Sequence, residues 1–206
     1  MRDPADEPRY DPVDALTELV NIGMGKAAGI LNDITRTRIT LHVPRIQVMG
    51  SDELSLEFDQ DRGSPLDMVV IGFTGGLEGS SALIFPPQSA QNLVSLITGD
   101  EFDSEDFDSL RIATLTEVGN IVLNHVLGSI TNCIGTRVSY SLPEFIEVPL
   151  PAFFASAGAR GPEELLLART RFGIEHYAIE GTIVLIMDSR SLETLLESIE
   201  KMAGGL

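Results

Sequence analysis

Apolar residues recur with a helical rhythm between positions 13 and 34. At 100° per residue, Leu16, Leu19, Val20, Gly23, Ala27, Ile30, Leu31 and Ile34 fall on one side. A second stripe, Leu115, Val118, Val122, Val126, Ile130 and Cys133, runs through 107–134. Each of these long predicted helices is followed by three runs rich in β-branched and aromatic residues. The first three lie near 38–48, 67–74 and 78–86, the second three near 137–148, 163–175 and 177–187. Gly75-Gly76 and Glu175-His176 stand where tight turns would join the last two strands of each set. Shorter helices are predicted over 88–98 and 189–202, with Gly99 and Gly204 placed to end them.

The same order of elements thus occurs twice, and so do the residues. Leu16-Thr17-Glu18-Leu19-Val20-Asn21-Ile22 returns 99 residues on as Leu115-Thr116-Glu117-Val118-Gly119-Asn120-Ile121, with five of the seven positions identical. Thr37-Arg38 and Thr136-Arg137, Pro44 and Pro143, and Phe73 and Phe172 keep that offset. Glu78-Gly79 and Glu180-Gly181 stand 102 apart. A register held over half the chain implies an internal duplication. Two similar halves, about 12–99 and 107–204, each with an edge strand to satisfy, are expected to merge into one continuous antiparallel sheet of about six strands. The expectation is a single α+β domain over 1–206 with internal pseudo-twofold symmetry, its two long and two shorter helices covering the apolar face. Between the halves, the acidic connector 100–108 reads as capping and solvation, since carboxylates are favoured before a helix start.

Composition narrows the partners. An apolar fraction of 43% is ample for a core. A net charge of −17 argues against nucleic acid or an anionic membrane as partner. No apolar run reaches the ~20 residues needed to cross a bilayer, and the first eight residues lack the apolar stretch of a signal peptide. The expected location is the cytoplasm. Only Lys26 and Lys201 of the 14 basic residues are lysines. That balance suits a host in concentrated salt, and equally an ordinary acidic protein. Cys133, the single cysteine, excludes an internal disulfide and a Cys-rich zinc site.

Opposite the apolar stripes lie Glu18 with Asn21, and Glu117 with Asn120, each pair three residues apart and therefore neighbours on the helix surface. Asn124 follows one turn later. Asparagine costs ~0.5 kcal/mol relative to alanine in a helix interior. A carboxamide at matching places in both halves can be read as wanted for its chemistry, or as an ordinary solvated residue copied with the gene segment. The chemical reading is specific. A carboxamide donates and accepts without titrating, and can hold a water in line with a phosphoryl group. A neighbouring glutamate could pair with a lysine of a docked protein.

Glu18-Leu19-Val20-Asn21-Ile22-Gly23-Met24-Gly25-Lys26-Ala27-Ala28 resembles the first signature of the CheC/CheX/FliY chemotaxis phosphatases, and Glu117-Val118-Gly119-Asn120-Ile121 the second. The resemblance, of the CheC type, covers nearly the whole chain from about residue 12. It implies that Glu18, Asn21, Glu117 and Asn120 form two sites that hydrolyse the phospho-aspartate of a CheY-type receiver. It also implies no cofactor of the chain's own, because the partner brings the Mg²⁺. CheD is implied as a further partner. By length the CheC type is expected rather than FliY, which carries an additional motor-switch domain. Lys26 and Asn124 depart from the usual signatures, which leaves the relative strength of the two sites open.

The rival reading is a non-catalytic adaptor binding CheD or a phosphorylated receiver. His42, His125 and His176 show no metal-ligand spacing and read as surface or boundary residues. Gly75-Gly76-Leu77-Glu78-Gly79 lacks the lysine and hydroxyl of a phosphate loop and reads as a hairpin turn. Cys133, on the apolar stripe, reads as packing, and Lys26 as a solvated helix lysine.

Overall fold

The computed structural model describes residues 11–36, 38–43, 46–50, 63–99, 107–157, 163–174 and 177–203. In chain order the elements are α1 (Pro12–Thr35), β1 (Ile39–His42), β2 (Ile46–Gly50), β3 (Leu66–Gly75), β4 (Gly79–Phe85), α2 (Pro87–Thr98) and α3 (Phe107–Cys133). Then follow β5 (Val138–Tyr140), β6 (Glu144–Val148), α4 (Leu150–Ala157), β7 (Glu163–Ile174), β8 (Tyr177–Asp188) and α5 (Ser189–Ala203). The α+β class and the four anticipated helices are present. The anticipated turn at Glu175-His176, the stop at Gly204 and the connector over 100–106 lie outside the described residues.

Local chemistry sets the ends of α1. The Asp11 carboxylate accepts from the Val13 N–H at 2.9 Å, and Pro12 takes the first helical turn, where a missing N–H costs nothing. The helix stops at Arg36, which adopts φ 54° and donates its N–H to Asn32 O at 2.8 Å. Gly99 closes α2 as expected, its N–H reaching Ser95 O at 2.9 Å.

Among the described residues the sheet has eight strands rather than about six. The pairing order is β1-β7-β8-β4-β3-β5, with β2 also on β7 and β6 also on β3. All pairs are antiparallel. The difference arises in the first predicted strand of each set, which is divided in two. Pro44 falls between β1 and β2 in the sequence, and Pro143 between β5 and β6. Proline has no N–H for a ladder and belongs at edges and interruptions, and both divided strands are edge strands. The divided strand of one half pairs with the other half: β1 and β2 lie on β7, β5 and β6 on β3. At the centre β4 and β8 pair over Gly79–Ile84 and Thr182–Met187.

A second difference concerns the faces. The main core lies between one face of the sheet and α1, α2, α3 and α5, and includes Leu16, Val20, Val69, Ile71, Leu83, Phe85, Val122 and Leu195. The opposite face is covered too: Leu66, Met68, Ala82, Ile84, Val184 and Ile186 pack with Leu150, Phe153 and Phe154 of α4. That short helix was not anticipated. The continuous burial of Ala82 to Phe85 is the pattern of a strand covered on both faces.

Helices α1 and α3 run antiparallel across the sheet. Leu31 and Ile34 near the end of α1 share a groove with residues 113–121 early in α3, while Glu18 shares one with Cys133 at its end. Gly23 lets the two helices touch. A Cβ there would stand 2.6 Å from His125 O and Val126 Cα, both backbone atoms. Because α1 rests on the sheet as well as on α3, its buried arc is turned toward Met24 and Ala28. Ile30 and Ile34, expected inside, are exposed.

The start of α3 is pinned by ions. The Arg111 guanidinium binds the buried Asp67 carboxylate of β3 and donates to Glu147 Oε2 of β6 at 2.7 Å. It also lies 5.6 Å from the centre of the Phe145 ring. Burial pushes the Asp67 carboxyl above its ordinary range, and the Arg111 hydrogen bond and charge oppose that rise. Gly119 then sits against Val69, where a Cβ would meet the valine side chain at 2.5 Å, so α3 lies close on the sheet.

Candidate functional site

Glu18 and Glu117 are exposed, and Asn21 and Asn120 are half-buried. Residue for residue the pairs look alike. Their surroundings do not.

In the first half the Asn21 carboxamide is engaged at both ends by one backbone unit. Its Nδ2 donates to Val43 O at 2.9 Å, and its Oδ1 accepts from Val43 N–H at 2.8 Å. Val43 follows β1 directly and is fully buried. The two bonds mimic a strand pairing, satisfying backbone groups at the point where the edge strand is divided. Asn32, further along α1, does related work by accepting from Ile39 N–H at the start of β1, 2.5 Å away.

In the second half the position 99 residues after Val43 is Leu142, and it is 87% exposed. The chain there is held differently. Ser141 N–H donates to Gly72 O at 2.9 Å, Gly72 N–H donates to the Ser141 hydroxyl at 2.9 Å, and that hydroxyl donates to Leu142 O at 3.0 Å. Asn120 is left for other work. Its Oδ1 accepts from Asn124 Nδ2 at 2.6 Å, and its own Nδ2 has no partner among the described residues. Asn124 Nδ2 also donates to the Asn120 carbonyl at 2.9 Å, so this side chain sets the orientation of the carboxamide. Asn124 was singled out from the sequence only as a departure from the signature, and its role depends on a hydrogen bond no pattern displays.

The grooves beside the two glutamates correspond in position and differ in lining. Glu117 borders a groove of about 270 Å³ whose other walls include Leu31, Ile34, Ile97, Val118 and Ile121. Glu18 borders one of about 600 Å³ lined by Asp14, Thr17, Leu19, Cys133, Ile199 and Met202. Ile34 and Cys133 stand 99 residues apart, and Ile97 and Ile199 stand 102 apart, the offsets already seen in the sequence. Cys133 is therefore exposed in the wall of a groove, not buried as its place on the stripe implied; its sulfur is 3.8 Å from that of Met202. It lies in the last turn of α3, where the helix overhangs the core.

Of the histidines, His42 is exposed on β1. His125 is half-buried, with Nδ1 2.7 Å from Ile121 O, and His176 is outside the described residues. Among the described residues no group of three His, Cys, Asp or Glu side chains is placed to share a metal ion. No described helix is long and apolar enough to cross a membrane. Lys26 is exposed.

The chain and its α+β fold have known counterparts. The family model described as chemotaxis phosphatase CheX matches residues 68–150, and that of the CheC-like family matches residues 13–48. A CheY-P phosphatase, CheC, of Bacillus subtilis is 28% identical over 139 residues, covering 66% of this chain and 66% of that protein. Among solved structures, FliY of Thermotoga maritima superposes with a TM-score of 0.73 at 18% identity, covering 98% of both chains. The CheX of a Borrelia burgdorferi complex with CheY, BeF₃ and Mg²⁺ gives 0.53 at 20% identity, covering 87% of this chain and 100% of that one. Together these matches support the CheC/CheX/FliY-type family of chemotaxis phosphatases for this chain.

Proposed function

We propose that this protein, of the CheC type, is an aspartyl-phosphate phosphatase acting in the cytoplasm on a phosphorylated CheY-type receiver, and that Glu117 and Asn120 form its principal site. The observation that carries this reading is the Asn120 carboxamide, half-buried, oriented by Asn124 and with an Nδ2 that has no partner among the described residues, one turn from an exposed carboxylate. The kinship with a CheY-P phosphatase and with a protein solved in complex with CheY supports the choice of partner.

The receiver docks with its acyl phosphate over Asn120, and Glu117 pairs with a cation beside that phosphate. The carboxamide positions a water in line: the water oxygen bonds to phosphorus as the bond from phosphorus to the aspartyl oxygen breaks. A free carboxylate and inorganic phosphate leave, and the water's protons pass to phosphate and solvent. Holding the water replaces an entropic cost that free reactants would meet in the transition state. Mg²⁺, held by the receiver, neutralises charge on the phosphoryl oxygens.

Glu18 and Asn21 form a second site of the same design whose carboxamide must first release Val43. That costs two hydrogen bonds and exposes a buried backbone unit, so the site works weakly. The corresponding grooves, offsets and divided edge strands support descent of the two halves, 12–99 and 107–204, from one duplicated unit.

The test is phosphate release from a CheY receiver phosphorylated in Mg²⁺, with wild type, Asn120→Ala and Asn21→Ala. Acceleration by the wild type that Asn120→Ala abolishes supports the enzyme. Tight binding of the receiver without acceleration would leave only a scaffold.

A further inference from the structure

Large apolar side chains are expensive to leave in water, yet several of the described ones are exposed, among them Ile22 at 52% next to Asn21 on α1. Leu142 is 87% exposed, the most of any large apolar residue described, and Ile34 is 54% exposed. Ile34 borders the Glu117 groove, and Leu142 holds the position that corresponds to Val43, the residue that engages Asn21 in the first half. Ile34 forms a wall of the groove that Glu117 itself borders, together with Ile97 and Ile121. Leu142 stands at the edge of the sheet next to β3. Its neighbour Ser141 is registered opposite Gly72 on β3, three residues from the Val69 against which Gly119 is packed. Glu117 thus borders an apolar groove, and the correspondence of Leu142 with Val43 is the ground for assigning the exposed leucine to the Asn120 side.

The other half lacks both features at the equivalent places. Cys133 replaces Ile34 and a second carboxylate, Asp14, joins the groove, while Val43 replaces Leu142 and is folded away onto Asn21. The glutamate and asparagine are the same in both halves, so beside the different engagement of Asn21 and Asn120 the two pairs also differ in the apolar surface around them.

Resting on the phosphatase reading above, we infer that the Ile34/Ile97 groove and Leu142 are the docking contacts for the receiver at the second pair. The groove takes an apolar side chain next to the partner's cation, and Leu142 enters an apolar recess on the partner's far side of the phosphate. The occupant is set by continuity: a protein whose acyl phosphate reaches Asn120 and whose cation reaches Glu117 must cover the groove that Glu117 borders. Two apolar anchors around one buried ion pair is the usual layout of an interface centre. Ile34 and Leu142 are therefore positioning residues, outside the chemistry.

The experiment measures binding of the full chain to a CheY receiver loaded with beryllofluoride and Mg²⁺, and separately its turnover of the phosphorylated receiver. Ile34→Asp and Leu142→Asp each replace a side chain more than half exposed, so the fold is retained. Each should weaken binding at least about tenfold and raise KM by a similar factor, with kcat within about twofold. Ile34→Leu and Leu142→Met should restore both values, and Cys133→Asp should change neither beyond about twofold. Unchanged binding in both aspartate variants, or equal weakening by Cys133→Asp, overturns the docking surface. Absence of any binding by the wild type overturns it too. The reading beneath it fails by a different sign, turnover that survives Asn120→Ala, which can occur whether or not the aspartate variants bind.

Discussion

The surroundings of Asn21 and Asn120 differ although the residues are the same. At Asn21 the carboxamide completes the backbone of a divided edge strand and buries Val43. At Asn120 the strand is completed by Ser141, Leu142 is turned outward, and the carboxamide is oriented by Asn124 instead. A side chain with two hydrogen-bonding ends can hold a fold together or hold a water, and it does not do both at once. The lesson is that an identical motif need not carry an identical role, because its role depends on what its neighbours leave unsatisfied.

The strongest way to break this contrast is kinetic. Asn120→Ala should lower receiver dephosphorylation by about 10²-fold, the usual cost of removing one well-placed polar group from a transition state. Asn21→Ala should lower it less than about threefold. Equal losses in steady-state phosphate release would show the Val43 engagement to be irrelevant to activity.

Stability should reverse the order. Asn21→Ala strands a buried N–H and C=O at Val43 and should cost ~1–3 kcal/mol in urea unfolding. Asn120→Ala leaves no buried group without a partner and should stay within about 0.5 kcal/mol of wild type. Gly23→Ala bears on both halves together, since its Cβ would push His125 and Val126 backbone away and part the helices that carry the two pairs. A loss of ~1–3 kcal/mol is expected from that overpacking.

A smaller effect should come from Asn124→Ala, which frees the Asn120 carboxamide to rotate. Turnover should fall by roughly three- to tenfold, while binding of the beryllofluoride-loaded receiver is unchanged. A parallel loss of binding would place Asn124 in the interface instead.

The smallest effect is a pH slope. Asp67 has its carboxyl raised above the ordinary value of 3.8, first by burial, so the folded chain holds its proton more tightly than the unfolded chain does. Its contribution to stability is present below pH 3.8 and declines as pH rises through the folded value. Asp67→Asn should remove that decline, so the difference between variant and wild type should drift in the variant's favour from about pH 4 upward. The loss of the Arg111 contact adds a constant offset, and a difference that drifts the other way would assign the opposite shift to Asp67.

Much of the architecture was legible beforehand because it follows from local periodicity. The four anticipated helices lie within a residue or so of expectation, and capping at Asp11, Arg36 and Gly99 explains why their ends are sharp. The strands were legible as runs and misread as units: a proline in the middle of an apolar run marks a division only if the run is an edge, and edges are not visible in one dimension. Helix α4 was missed because Leu150 to Ala157 spans eight residues, too short for a clear stripe, and its partner surface is the second face of the sheet. Cys133 and Ile34 were misplaced for a shared reason. Helical angle predicts the side of a helix, not whether anything stands opposite its last turn.

By itself, then, the chain determined its four longer helices, its net negative charge and the two glutamate–asparagine pairs in its sequence, since each depends on interactions within a few residues or on composition. Only the tertiary structure decided which strand completes which sheet edge, that both faces of the sheet are covered, and that both ends of the Asn21 carboxamide are engaged while the Asn120 Nδ2 has no partner among the described residues. These depend on groups 22 to 69 residues apart meeting in space, as Asn21 meets Val43 and Gly72 meets Ser141. A hydrogen bond is satisfied by whichever partner packing brings near, and packing belongs to the whole fold.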